Sequence, residues 1–367
     1  MNFSKEQLYQ RQTCLQEFGA EGQKKLENAR VLIIGCGGLG NAVAVYLAGS
    51  GVGSIRLIDD DVVSISNLHR QVFFTVNDIG RSKSEVLADH IRAINPFVTV
   101  LSKKVRLQKE NCSEEFNETD LVVDCTDSLP TKYLINDVCV MNELPLVYGS
   151  LYKFDGYIAS FNVKREGGYS ANLRDAFPEP PKNPVPSCAE VGTLNPVVGL
   201  IALLQTNEVI KIITGIGEPL VNQLLVYNSL NNQQLKIKLH AKTDKKQIAA
   251  LFSKESYFDV ACEFQQQQLL LDADTLKENL NSDNFYLISV IEKAETLLPF
   301  HVHAKIPYSV FDPKKLEVEH NKKYIFVCNR GILSYSASLK MKELYPALQV
   351  FSLEKGIQGF NDEQDEE

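Results

Sequence analysis

A doubly wound α/β fold with a mostly parallel sheet, followed by a second and smaller α/β unit, is the architecture this sequence predicts. Three observations predict it. The run "VLIIGCGGLGNAVAVYLAGSGV", Val31 to Val52, joins a short β-branched segment to a small-residue helix through a glycine-rich turn, as a buried parallel strand feeding a crossover helix does. Strand-like and helix-like patterns then alternate to about residue 240, the signature of βαβ units. Beyond the polar, low-complexity stretch from "AKTDKKQ" to "EFQQQQ" the alternation resumes on a smaller scale.

Residues 5 to 28 read as helical, and "VLIIG" as the first strand. "SIRLIDDD" is the next strand, ending in acids, and closes one βαβ unit. "SKSEVLADHIRAIN" reads as a helix stopped by Pro96, "VTVLSKKV" and "DLVVDCTDS" as strands, "LPTKYLINDVCVMNE" as a helix and "PLVYGSL" as a strand. "GYIASFNV" and "NQLLVYNSL" with "QQLKIKL" are expected to be antiparallel strands closing the sheet. The Pro-rich "FPEPPKNPVPSC" between them excludes regular structure. The chain of 367 residues is too long for one average core. A first domain is expected over 1–240, a linker over 241–267, a second α/β domain over 268–361 and an acidic disordered tail over 362–367. In the second domain "LKENLNS" and "ILSYSASLKMKEL" read as helices, and "FYLISV", "KYIFV" and "ALQVFSL" as strands.

Composition excludes several classes. The net charge of -8 offers no basic field for nucleic acid. The start "MNFSKEQLYQ" lacks an apolar signal region, and no run is read as approaching the roughly 18 uncharged apolar residues of a membrane span. A cytoplasmic protein is therefore expected. The eight cysteines include no C-x-x-C pair, so neither a structural zinc site nor a disulfide framework is expected.

The glycines Gly35, Gly37 and Gly40 fit G-x-G-x-x-G, which lets the backbone approach a phosphate from a helix N-terminus. Asp59 lies 24 residues after Gly35, where a ribose-binding carboxylate sits in such folds. To this point NAD and ATP are level. The next segments separate them: "DDDVVSISNLHRQVFF" and "GRSKSEV" place Asn67, Arg70 and Lys83 beyond the second strand, and "VDCTDS" places Asp127 at the tip of a later one. Two cations and a carboxylate suit a magnesium-bound triphosphate, whereas their surface alternative is ordinary salt bridging. An NAD-dependent oxidoreductase needs no such set, and no P-loop is present. A scaffold that kept the fold and lost activity is the remaining rival.

The motifs "YQRQTCLQEFG", "GCGGLG", "DDDVVSISNLHRQ", "GRSKSE", "INP" and "DCTDS" together resemble the ThiF/MoeB/HesA family, over roughly residues 5 to 240. These are Rossmann-like, ubiquitin-activating-enzyme-like adenylyltransferases. The resemblance implies adenylation of the C-terminal Gly-Gly carboxylate of a ubiquitin-like sulfur carrier, of the molybdopterin or thiamine pathway, with release of pyrophosphate. It implies that Gly38 and Gly40 line the nucleotide, Asp59 binds ribose, and Ser66, Asn67, Arg70 and Lys83 surround the phosphates. Asp127 and Ser128 would face the α-phosphate and magnesium, and Arg11 would reach into the ATP site of a partner subunit, so a homodimer is expected. Many bacterial members bind zinc through two C-x-x-C pairs, but the first pair falls near "GGYSANLRDAF", which has no cysteine.

Two cysteines have special surroundings. Cys188, in "PSCAEVGTLNPVVG" before an apolar helix, reads either as a nucleophile whose thiolate a helix N-terminus favours or as a half-buried small hydrophobe. It matches the family's crossover-loop cysteine, covalently used in some members and dispensable in others. Cys328 opens "CNRGILS", a strand-to-helix loop whose N–H groups can form an anion nest. With "LDADTLKENL", "HVHAKIP" and "LEKGIQGF" it resembles a rhodanese domain, whose loop reads C-x-x-G-x-R-S. Cys328, Gly331 and Ser334 match; Leu333 stands in place of the Arg, and Ser289 in place of a usual Asp. Eukaryotic sulfur-carrier activators of this layout also lack that Arg, and Arg330 is the candidate replacement charge. Cys328 is therefore expected to accept persulfide sulfur from a donor such as a cysteine desulfurase.

Overall fold

The computed structural model describes residues 3–178, 192–255, 257, 269–280, 282, 284–292, 295–319, 321–329 and 331–362. They fall into two compact units that divide after Tyr257.

The first unit opens with α1 (Lys5–Thr13) and α2 (Gly19–Asn28). The continuous helix expected over 5–28 is broken at 14–18. The N–H groups of Phe18 and Gly19 both turn back to the carbonyl of Leu15, and Gly19 takes φ +54°, which a side chain resists. The helices thereby run antiparallel, with Lys5 on Glu27 at 3.1 Å and Gln12 on Gln23 at 2.8 Å, and bury Tyr9 and Leu26.

Then follow β1 (Arg30–Ile34), α3 (Gly38–Ser50), β2 (Ser54–Ile58), α4 (Lys83–Ile94), β3 (Thr99–Lys103), the one-turn α5 (Cys112–Glu115) and β4 (Leu121–Asp124). The chain continues through α6 (Leu129–Met141), β5 (Leu146–Tyr152), β6 (Asp155–Phe161), the short hairpin β7 (Lys164–Arg165) and β8 (Gly168–Tyr169), and α7 (Leu173–Ala176). It ends with α8 (Asn195–Thr214), β9 (Gln223–Asn228), β10 (Gln233–Lys238) and α9 (Lys245–Lys254).

One eight-stranded sheet has the order β10-β9-β6-β5-β4-β1-β2-β3. The five strands from β5 to β3 pair parallel, and β6, β9 and β10 pair antiparallel, as the sequence predicts. Parallel strands bury both faces: Val31 and Ile33 of β1 enter one core with α3 and α8, while Leu32 and Ile34 enter the other with α6. Because α3 leads from β1 to β2 on one side and β4 lies on the other, the strand order reverses at β1, and the crevice beyond its carboxyl end is the expected ligand site.

Two expectations need correction here. Helix α8 is long and apolar enough to cross a membrane by length and composition, with a mean hydropathy of 1.5 over its best window. Its place in this structure is the core: Val197, Val198, Ile201 and Ala202 are buried against the sheet, and Gln205 donates to the carbonyl of Asp124 at 2.9 Å. Residues 241–257, read as linker, continue the first unit. Asp244 and Gln247 form a capping box that starts α9, a local arrangement that fixes a helix within a polar sequence, and Ile248 is fully buried. Asp175 fastens the approach to it, accepting from Lys242 N at 3.0 Å and from Thr243 N and Oγ1 at 2.9 and 2.8 Å. The remainder of the expected linker, 258–268, and the end of the acidic tail, 363–367, lie outside the described residues.

The second unit holds β11 (Leu270–Leu271), α10 (Ala273–Asn279), β12 (Phe285–Ser289), β13 (Ala304–Lys305), β14 (Lys323–Val327), α11 (Ile332–Leu344), β15 (Gln349–Leu353) and α12 (Gly356–Asp362). Its five strands form a parallel sheet in the order β11-β15-β14-β12-β13. Alternate residues of β14, Tyr324 and Phe326 against Ile325 and Val327, enter separate apolar clusters.

Candidate active site

The turn after β1 is built by close approach. Gly35 takes φ +91°, and a Cβ there would lie 2.8 Å from the carbonyl oxygen of Cys125. A Cβ on Gly40 would lie 1.8 Å from the carbonyl oxygen of Gly35, and one on Gly38 would lie 2.6 Å from Val198. Helix α3 begins on Gly37 with no side chain capping it, so its first N–H groups and its positive dipole end are left for an anion.

Asp59, just past β2, accepts the N–H of Cys36 through Oδ2 at 2.6 Å and the N–H of Asp61 through Oδ1 at 2.8 Å. Burial pushes its carboxyl up to about 6 against the opposing pull of Lys83. Lys83, the first residue of α4, is buried and places Nζ 2.7 Å from Asp61. Arg70 flanks the start of α3, its carbonyl 3.7 Å from where a Gly38 Cβ would be, and its guanidinium donates to Ser66 O at 2.9 Å. Gly35, Gly38, Gly40, Asp59, Arg70 and Lys83 therefore gather at one end of the parallel strands, around the glycine turn.

Other residues have local tasks. Asn67 Oδ1 accepts from Ser64 N at 3.2 Å, bracing its own loop, and Ser66 Oγ lies 3.1 Å from Ser64 Oγ. Ser128 caps α6, accepting from Thr131 N and Oγ1 at 3.4 and 2.9 Å. Asp127, beside it, is exposed and has no hydrogen-bond partner among the described residues. Arg11 stands apart. Its helix is tied to the far end of α3, where Gln12 donates to Ser50 O at 3.0 Å. A helix of 13 residues puts that end about 20 Å from the glycine turn. Within one chain Arg11 does not join the crevice.

Two features escaped the sequence reading. Gln71, 3% exposed, lies 3.6 Å from where a Gly37 Cβ would be, and its Oε1 has no partner among the described residues. An orphaned buried polar atom beside an open helix N-terminus points to a ligand. It follows Arg70 directly in "NLHRQ", the only signal available. The second is the buried pair Lys132–Asp124 at 3.0 Å, in which Asp124 also accepts from Thr126 N and Oγ1 and so shapes the loop carrying Asp127 and Ser128.

In the second unit Cys328 follows β14, and its Sγ accepts from Ser334 N at 3.4 Å with Ser334 Oγ at 3.3 Å. Gly331 takes φ +84° and starts α11. Leu333 is buried in the apolar cluster that includes Cys328 and Ile357, so the position of the usual loop Arg serves the core. Ser289 is buried at the carboxyl end of β12, in register with Val327. Cys188 and Arg330 lie outside the described residues.

A model of the ThiF family matches residues 9–248. The chain belongs to the ThiF family. It is 42% identical over 256 residues to a probable adenylyltransferase/sulfurtransferase, MoeZ, of Mycobacterium tuberculosis, covering 70% of this chain and 65% of that relative. The chain thus spans just under two thirds of that ThiF relative's length. A sulfur carrier protein adenylyltransferase of Thermus thermophilus is 42% identical over 234 residues, covering 63% of this chain and 86% of the relative. An adenylyltransferase and sulfurtransferase MOCS3 of Drosophila grimshawi is 32% identical across 98% of this chain and 84% of the relative, so the likeness continues through the second unit. Among solved structures, Escherichia coli MccB with ATP is similar at a TM-score of 0.55 and 26% identity, covering 64% of this chain and 72% of that one.

Proposed function

We propose that this ThiF-family chain adenylates the C-terminal Gly-Gly carboxylate of a ubiquitin-like sulfur carrier with ATP. The observation that carries this reading is the uncapped start of α3 at the glycine turn, with Asp59, Arg70 and Lys83 gathered around it. The names of the mycobacterial and Thermus relatives support it, as does the likeness to a structure with ATP. The carboxylate oxygen attacks the α-phosphorus, the bond to the β-phosphate oxygen breaks, and pyrophosphate leaves. The nucleophile is already ionised at neutral pH, so no protein base is needed. The site's task is to screen two anions and hold them in line. Arg70 and Lys83 supply the screening, the N–H groups at the α3 N-terminus donate to phosphate oxygens, the unpartnered Gln71 Oε1 accepts from a donor group of the nucleotide, and Asp59 accepts from ribose. Asp127, exposed and without a partner among the described residues, fits a magnesium ion, which would add charge neutralisation on the departing pyrophosphate. Arg11, remote within one chain, reaches the crevice of a second copy in a homodimer.

In the same reading Cys328 takes the outer sulfur of a donor persulfide: its thiolate attacks, and the donor's cysteine thiolate leaves. The outer sulfur of the Cys328 persulfide then attacks the carbonyl carbon of the adenylated carrier and AMP leaves. A second thiol, for which the sequence offers Cys188, attacks the Cys328 sulfur of the acyl disulfide, so that a disulfide forms and the carrier departs as a thiocarboxylate of molybdopterin or thiamine synthesis. The test is ATP–pyrophosphate exchange with and without a Gly-Gly carrier. Carrier-dependent exchange that disappears in Asp127→Ala supports the reading; NAD reduction without exchange would end it. Mass spectrometry after incubation with a cysteine desulfurase and cysteine should add one sulfur to the wild type and none to Cys328→Ala.

A further inference from the structure

Three buried side chains form a file in the second unit. Ser352 of β15 donates to Ser334 Oγ at 2.8 Å, and Ser334 Oγ lies 3.3 Å from Cys328 Sγ, which also accepts the Ser334 N–H at 3.4 Å. Cys328 is 1% exposed, and Ser334 and Ser352 are fully buried. A hydroxyl carries one proton and can accept as well. Ser334 accepts the Ser352 proton and keeps its own, which it can donate to the sulfur. The other acceptor open to Ser352, Gly331 O, is farther away at 3.4 Å.

The loop is fixed from the opposite side. At the start of α12, the N–H groups of Ile357 and Gln358 donate to Cys328 O and Asn329 O at 2.9 and 3.0 Å. Gly331 leaves no room for a Cβ, with Lys355 N 3.1 Å from where one would sit. The sulfur is held where the first turn of α11 and one hydroxyl can both donate to it.

We infer that Ser352 is a positioning residue for Cys328: by donating to Ser334 it directs the Ser334 hydroxyl proton onto the sulfur and stabilises the thiolate. Ser352 is outside the loop motif that drew attention to Cys328 and Ser334, and lies 18 residues beyond Ser334. The purpose of a stabilised thiolate rests on the sulfur-accepting reading; its existence does not.

The experiment is an ultraviolet thiolate titration of the full chain, each variant read as the difference from the same variant carrying Cys328→Ser. Ser334→Ala should raise the Cys328 pKa by about one unit, a tenfold loss of thiolate at a pH below it. Ser352→Ala should raise it by a comparable amount, Ser352→Thr should restore it, and the double variant should match Ser334→Ala alone because both act through one proton. Thermal melting of each variant establishes that the second unit remains folded. A Ser352→Ala titration that overlays the wild type, or two shifts that add in full, would overturn the relay. Absence of any persulfide on wild-type Cys328, with the shifts intact, would instead remove the sulfur-accepting role and leave the relay standing.

Discussion

Lys132 Nζ lies 3.0 Å from Asp124 Oδ2, with neither side chain more than 2% exposed. The ammonium also donates to Gly149 O at 2.7 Å and stands 4.9 Å from the centre of the Tyr148 ring. Burial alone would favour a neutral amine, but Asp124 and its neighbours hold the lysine pKa above its ordinary value. A charge pair of this kind ties the end of β4 to α6 and β5, and so fixes the loop between them.

Lys132→Met should therefore cost much more than a surface change. Removing one partner leaves Asp124 buried without its cation, a loss of about 3–5 kcal/mol. Urea unfolding followed by tyrosine fluorescence measures it. Pyrophosphate exchange should fall as well, because the Asp124 carboxylate that holds Thr126 in the loop carrying Asp127 loses the cation that fixes it. An unchanged midpoint would show that the pair contributes nothing to the fold.

Asp59 gives a pH dependence with a definite sign. Its carboxyl is pushed up to about 6 by burial, with Lys83 and the N–H groups of Cys36 and Asp61 opposing. Only the ionised form accepts from both ribose hydroxyls, so adenosine affinity should rise with pH through about 6 and level off above it. Adenosine is the probe because it carries no phosphate to titrate. Stability runs the other way: a carboxyl raised from 3.8 to about 6 contributes fully below 3.8 and loses that contribution as pH rises through 6. Calorimetric titration should show the binding step, and Asp59→Asn should flatten it.

The sheet was legible because its strands carry short β-branched runs and each ends on a glycine or polar residue, as at Ile34–Gly35 and Asp124–Cys125. That Asp59, Arg70 and Lys83 gather near the glycine turn was legible because they follow strand ends, which the parallel sheet brings to one edge. What escaped depends on contacts between distant segments. Gln71 is polar, and nothing local says that its Oε1 is buried without a partner. Lys132 looks like a surface residue of an amphipathic helix until Asp124 and Gly149 are seen around it. The same holds for α9, whose polar sequence reads as linker until Asp175 and the buried Ile248 attach it to the first unit.

Asp175 should accordingly be a clasp. One carboxylate accepts three bonds from residues 242–243 and a fourth from Asn172 N at 2.9 Å. Asp175→Ala strands those donors at a cost of about 1–3 kcal/mol, released locally by detaching the segment that leads to α9. Limited proteolysis should cut between 240 and 255 about tenfold faster than in the wild type, since cleavage follows local opening. Equal cleavage rates would mean that α9 is held by its own packing.

The glycine turn allows a comparison between two neighbours of equal chemistry. At Gly38 an added methyl meets Val198 Cγ1 at 2.6 Å, a side-chain tip that can withdraw by small shifts; at Gly40 it meets the Gly35 carbonyl oxygen at 1.8 Å, which is backbone. Relieving the second contact means separating α3 from the turn, and with it moving the open N–H groups away from the phosphates. Gly40→Ala should therefore lower pyrophosphate exchange at least about 100-fold, the loss expected when donors to a reacting phosphate or oxyanion are misplaced. Gly38→Ala should remain within about tenfold of the wild type, as a strained but accommodated contact does. Circular dichroism and urea unfolding of both variants separate loss of the turn from loss of the fold. If Gly40→Ala retained wild-type exchange, the close packing of α3 on Gly35 would have no part in placing the nucleotide, and the site would have to be sought away from the start of that helix.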